Sequence, residues 1–145
     1  NPAIYRFVRY HRNSLQGCLN ATCPRSQNCL RRTAALQDTD EHLFLKVVNP
    51  LRYPKEGEEC ELFRSTDKVR MAWGVTHLLD NVPYKEGSLL RNMIINHLGR
   101  SQYYRCFRKE RPFAPQDQQT IRMLFRQRGI SEEPSFDYYT NEFNW

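Results

Sequence analysis

A chain of 145 residues with a net charge of +6 is long enough for one domain with a real core and needs no disulfide staples. No apolar run approaches the ~18 residues of a spanning helix, and no n-region followed by an apolar h-region opens the chain. The pattern therefore reads as soluble with no membrane-spanning segment, although the first residue need not be the first translated one and a removed presequence stays open.

In chain order, "NPAIYRFVRYHR" begins with a capping Asn1 and with Pro2 at the first helical position, where its missing N–H costs nothing. Ile4, Phe7, Val8 and His11 share one helical face, which predicts a helix over 2–14. The loop "CLNATCPRSQNC", broken by Pro24 and Asn28, leads into a short helix in "CLRRTAALQ". "HLFLKVV", residues 42–48, is apolar and partly β-branched and reads as strand or helix. "ECELFR" is its candidate partner strand across a surface loop too long for a tight hairpin.

"STDKVRMAWGVTHLLDN" places Val69, Ala72, Trp73, Thr76 and Leu79 at helical spacing behind a Thr66 or Asp67 cap, and predicts a helix despite Gly74. In "SLLRNMIINHLG", Ser88 is the expected cap, Leu90, Ile94 and Leu98 repeat at i+4, and Gly99 supplies a left-handed stop. The last helix starts at Pro115 and carries Asp117 in its first turn, where the helix dipole favours an acid. Ile121, Leu124 and Phe125 form its stripe; Gly129 ends it, with Ile130 placed to fold back on Phe125.

Charge is distributed unevenly. Residues 1–129 hold all 22 basic groups against 12 acids, whereas residues 130–145 hold four acids and no base. This predicts a single basic helical domain over 1–129 and an acidic aromatic docking tail over 130–145. Phe136, Tyr138, Tyr139, Phe143 and Trp145 are the tail's expected docking residues, because large rings are seldom left in water.

Arginine outnumbers lysine 17 to 5. Guanidinium suits bidentate carboxylate or phosphate recognition and stacks on rings, although a GC-rich genome alone also writes arginine codons. Arg100, Tyr103, Tyr104, Arg105, Phe107, Arg108, Lys109 and Arg111 interleave rings with cations, and Arg122, Arg126 and Arg128 extend the patch. Such a mixture can stack bases and neutralise phosphates, or anchor a protein interface.

The five cysteines leave at least one unpaired. Cys18, Cys23 and Cys29, with His11 or His42 nearby, fit structural zinc spacing only in part. A disulfide among these three, or ordinary thiols, are the competing readings. Asn20 opens a glycosylation pattern that matters only in a secreted protein. His11 and His97, beside apolar stripes, are expected to be buried. No H-E-x-x-H or G-x-S-x-G occurs, the six glycines are single and far apart, and the carboxylates of "EGEEC" and "SEEP" sit in loops. No enzyme activity, resident metal or cofactor is expected.

"YYRCFRKERPFAPQDQQTIRMLFRQRG" resembles the second half of the LYR-motif family, small basic helical accessory subunits and assembly factors of mitochondrial complexes. Phe107, Arg108, Asp117 and Gly129 carry the likeness, which covers about a third of the chain. The tripeptide itself is imperfect: Ile4-Tyr5-Arg6 lies too far upstream and Leu89-Leu90-Arg91 too close to Phe107. The resemblance implies a helical, non-catalytic protein held in place by partners.

Together these readings predict a mainly α fold with irregular extensions, the alternative being α+β with a two-stranded patch at 42–64. The expected role is a non-enzymatic accessory or assembly subunit of a large, mitochondrial, respiratory-type complex, its partners other protein subunits. An RNA- or DNA-binding module of a ribonucleoprotein, such as a mitochondrial ribosome, is the alternative. A secreted, glycosylated, disulfide-bonded binding module is the second alternative.

Overall fold

The structure, a computed structural model, describes residues 16–38 and 42–144. The helix expected over 2–14, with His11, lies outside the described residues, as does Trp145. The described elements run α1 (Leu30–Asp38), β1 (Lys68–Trp73), α2 (Tyr84–Leu98), α3 (Arg100–Phe107), α4 (Pro115–Gln127) and β2 (Tyr138–Phe143), with 3-10 turns at Ser26–Asn28 and Pro50–Arg52. With 40% helix, 14% strand and one two-stranded antiparallel sheet among the described residues, the fold is mixed α+β rather than mainly α.

The α+β alternative thus describes the class, but its strands stand elsewhere. Within 42–64, Val47 makes an isolated bridge to Gly17, while the sheet pairs 68–73 with 138–143. The helix expected across 66–79 is replaced by β1 and a turn. Gly74 explains the change: it takes φ +79, a left-handed conformation that ends the run. Ala72 also exchanges two backbone hydrogen bonds with Phe113, at 3.1 and 2.7 Å, so a partner remote in sequence supplies what helical bonds would have.

Two compact units make up the chain, Lys68–Glu142 and Asn1–Asp67 with Phe143–Trp145. The first, here the C-terminal unit, is built on apolar packing. Leu90 and Ile94 of α2, Tyr103 and Cys106 of α3, and Ile121 and Phe125 of α4 close around Phe113, which is fully buried and lies 5.2 Å from the Phe136 ring. α2 starts at Tyr84 behind Pro83, a turn earlier than Ser88, and stops at Gly99, φ 85, as its pattern requires. α4 ends as expected: Gly129 takes φ 75, and the Ile130 N–H donates to the Phe125 carbonyl at 2.9 Å while its side chain packs on the core.

The N-terminal unit is built differently. Within 1–67 the described apolar residues that are buried are Cys29, Leu30, Ala34 and Ala35, whereas Leu43, Phe44 and Leu51 are at least 90% exposed. Backbone hydrogen bonds stitch its irregular segments together. Gly17 bonds Lys46 and Val48, Cys18 N–H reaches Arg31 O, Leu30 N–H reaches Arg64 O, and Thr66 N–H reaches Asn28 O. Gly17 is needed where it stands, since a Cβ there would lie 2.8 Å from the Ala35 Cβ.

Candidate functional site

α3 turns Tyr103 and Cys106 into the core. Its outer face carries Arg100, Tyr104 and Phe107 at i, i+4 and i+7. The Arg100 guanidinium lies 5.7 Å from the Tyr104 ring centre, and the Tyr104 and Phe107 rings meet edge to face at 6.3 Å. Tyr104 is 36% and Phe107 53% exposed, so this ladder faces water. Tyr103 leaves the expected surface patch: it is 6% exposed, and burial raises its phenol above the ordinary range. Phe107, one of the rings of the expected patch, is the most exposed ring on the helix.

The remaining cations of the patch, Arg111 apart, meet acids of their own chain. Arg108 pairs with Glu110 at 2.8 Å, Arg128 with Glu86 at 2.7 Å, Arg122 with Glu133 at 2.6 Å, and Arg126 with the same Glu133 at 3.6 Å. Arg105 approaches Glu110 at 4.0 Å, and Arg111 donates to Gln102 at 2.9 Å. Hydrogen bonds from Arg128 and Arg108 hold the carboxyls of Glu86 and Glu110 below the usual range. Guanidinium groups held in such pairs are less available to a phosphate backbone than free ones.

The tail docks on its own chain. Phe136 is buried against Phe113, Tyr138 stacks on Trp73 at 5.9 Å, and Trp73 Nε1 donates to Thr140 Oγ1 at 2.7 Å. The Arg70 guanidinium covers the Tyr139 ring at 3.7 Å, and Phe143 is buried. Asp137 fixes the turn into β2. Its backbone N–H donates to Trp73 O at 2.9 Å, and its carboxylate accepts from Thr76 Oγ1 at 2.7 Å and from Lys109 Nζ at 3.2 Å. Burial pushes this carboxyl up, but the Thr76 and Lys109 hydrogen bonds with the Lys109 charge outweigh it and hold the group below the ordinary carboxylate range.

His97 is a correction: it is exposed and faces Asp117 at 3.3 Å instead of entering the core. His77 likewise meets Asp80 at the surface, at 2.7 Å.

The N-terminal unit holds the second constellation. Cys18, Cys23, Cys29 and Cys60 all line one cavity, together with Asn20, Arg31, Arg32 and Arg52. None of the five cysteines is bridged, so the disulfide considered among Cys18, Cys23 and Cys29 is not formed. His42 is not among the residues lining the cavity, whereas Cys60 is. Cys60 lies far along the chain from the loop cysteines, in the "ECELFR" segment.

Arg31 draws the segments around this cavity. Its Nε donates to Leu62 O at 2.7 Å and its Nη1 to Gln16 O at 3.0 Å, which holds the approaches to Cys60 and Cys18 against α1. Burial lowers this guanidinium's pKa, with Arg64 adding to the effect, while the cysteines around it act in the opposite sense. Asn20 sits in an Asx turn, its Oδ1 accepting the Thr22 N–H at 3.2 Å, which shapes the loop from Cys18 to Cys23. Among the described residues, no three His, Cys, Asp or Glu side chains stand close enough together to hold a single metal ion. No described helix is long and apolar enough to cross a membrane.

The two constellations define a small α+β protein with an apolar-cored unit and a cysteine-lined unit. The sequence matches a family of unknown function, DUF6078, over residues 6–145, and the chain belongs to that family. This match overturns the LYR resemblance: no LYR family was found, and one family model spans both units. The sequence of β1 and the cysteine loop therefore belongs to the same family pattern as the arginine segment that carried the likeness. No curated protein and no solved structure matches the chain.

Proposed function

We propose that this chain is a non-enzymatic interaction module, an accessory or assembly subunit that meets a protein partner through the outer face of α3. The observation that carries the reading is the exposed ladder of Arg100, Tyr104 and Phe107, a guanidinium on a ring on a ring. Tyrosine and arginine supply large contact area at low entropic cost and recur as interface anchors. A partner surface with an apolar groove bordered by carboxylates is the matching chemistry.

Intrachain pairing of Arg108, Arg122, Arg126 and Arg128 favours this reading over a nucleic-acid module. Phosphate binding would have to compete with carboxylates already in place. The mitochondrial setting rested on the LYR resemblance and is not carried forward.

Native purification of the full chain through a mild tag, with and without nuclease, tests the reading. A stoichiometric protein partner should survive nuclease and fall at least about tenfold in the Tyr104→Ala/Phe107→Ala double variant, as expected for two anchors each worth about 1 kcal/mol or more. Species that vanish on nuclease treatment, or a partner held equally by the double variant, would overturn it.

A further inference from the structure

β2 has a neighbouring strand on one side only. The opposite edge of the sheet, on β1, is closed by the chain itself: Ala72 exchanges two backbone hydrogen bonds with Phe113, and Gln118 Nε2 donates to Arg70 O at 2.9 Å. Among the described residues, no bridge and no further backbone hydrogen bond closes the outer edge of β2. Backbone N–H and C=O groups left in a row are a template for another strand.

Proteins ordinarily guard such an edge with lysine, proline or a glycine bulge. The β2 sequence, YYTNEF, contains none of these, and its Tyr, Thr and Phe favour extended backbone. Tyr138, Tyr139 and Asn141 are exposed along it. The strand is also fixed from within, since Tyr138 stacks on Trp73 and Thr140 Oγ1 accepts the Trp73 Nε1 hydrogen bond. An edge already held straight loses little freedom on pairing. We propose that the outer edge of β2 is a self-association surface, on which β2 of a second copy lies antiparallel and extends the sheet from two strands to four.

A second copy is the occupant that the charges select. A two-fold axis perpendicular to the sheet at Thr140 keeps each face of the sheet continuous across the junction. It sets Thr140 beside Thr140 of the second copy, Tyr139 beside Asn141, and Tyr138 beside Glu142. Paired threonines are a favourable cross-strand contact. Glu142 has no ion pair among the described residues. In this register it comes to the Tyr138 ring of the other copy, and Lys109 Nζ lies 6.0 Å from the centre of that ring. Each acid therefore meets a cation across the junction, and no two like charges face each other. One strand pair is a small interface, so the association is concentration-dependent. It uses no residue of the α3 ladder, and the two surfaces stand or fall separately.

Sedimentation of the full chain over a roughly hundredfold range of concentration tests the proposal, together with amide hydrogen exchange at both ends of that range. The mass should rise from one chain to two, and exchange should slow in β2 as it does. Asn141→Lys should raise the dimer dissociation constant at least about fivefold, because a cation then faces Tyr139 of the other copy twice per dimer. The Arg70 guanidinium already lies 3.7 Å from the centre of that ring. Asn141→Glu brings the opposite sign to the same guanidinium and should bind at least as tightly as wild type. Lys and Glu are alike in strand propensity, so a local disturbance alone would move both variants the same way. A monomer at every concentration, a dimer indifferent to the sign of the charge, or slowed exchange at the α3 face instead of β2 would each overturn the proposal. Wild-type exchange decides the matter even if a variant fails to fold.

Discussion

The two units solve the same problem, holding a short chain in one shape, by different means. In Lys68–Glu142 three helices bury large side chains around Phe113, joined by Ala72 of β1 and by Phe136 just before β2. In Asn1–Asp67 the described chain is mostly irregular. It is held by backbone hydrogen bonds between distant segments, by the Arg31 side chain, and by small residues that allow close approach. The difference teaches that the first unit can be damaged by removing volume and the second by adding it.

The largest expected effect is in the apolar unit. Phe125→Ala removes a ring that is 2% exposed and should cost about 3 to 5 kcal/mol, the transfer energy plus the cavity left behind. Urea unfolding followed by far-ultraviolet circular dichroism checks it. A loss below about 1 kcal/mol would mean that the stripe of α4 is not core and that the contrast between the units is wrong.

In the other unit an added methyl is the sharper probe. Gly17→Ala puts a Cβ 2.8 Å from the Ala35 Cβ and 3.1 Å from its Cα, so helix and strand-like segment must separate. Overpacking of this kind should cost about 1 to 3 kcal/mol. Hydrogen exchange should then quicken at Val48 and Cys18, whose N–H groups bond across this contact, and stay slow at the core of α4. Equal quickening in both units would show that they unfold together.

Legibility follows the same division. α4 could be read to its last turn because a single local pattern specifies it: Pro115 at the start, an acid in the first turn, Ile121 and Phe125 inward, and Gly129 with Ile130 at the stop. β1 could not, because Val69, Ala72, Trp73 and Thr76 share helical spacing, and the deciding facts are Gly74's left-handed backbone and pairing with Phe113 and β2. The arginine patch was visible as composition, yet its carboxylate partners Glu86 and Glu133 lie in other elements or beyond them. Cys60 was invisible for a related reason: only the stitched backbone around Arg31 brings it to the other cysteines' cavity.

A smaller effect should appear on acidification, and only in the apolar unit. Asp137 has its carboxyl held below the ordinary value near 3.9 by Thr76 and Lys109, despite burial. Its contribution is therefore fully present above the unfolded pKa and is lost as pH falls from there through the lower folded value. Wild type should lose midpoint stability across that window, and Asp137→Asn, weaker at neutral pH, should lose less of its own. Parallel pH profiles for the two proteins would remove Asp137 from the set of groups that hold the tail on β1.

The smallest effect should come from the surface pair Arg108 and Glu110. Their hydrogen bonds, at 2.8 and 3.3 Å, are well made, but both groups are about half exposed, and water screens such pairs until little stability remains. Arg108→Ala should leave the urea midpoint within error of wild type. The measurement still discriminates, because the pair brackets Lys109, which holds φ 60 without being glycine and reaches back to Asp137. If the pair does nothing more than shield charge, the midpoint stays put. A measurable drop would mean that Arg108 and Glu110 hold the turn that presents Lys109, and that the tail's attachment depends on the arginine segment as well as on the rings beneath it.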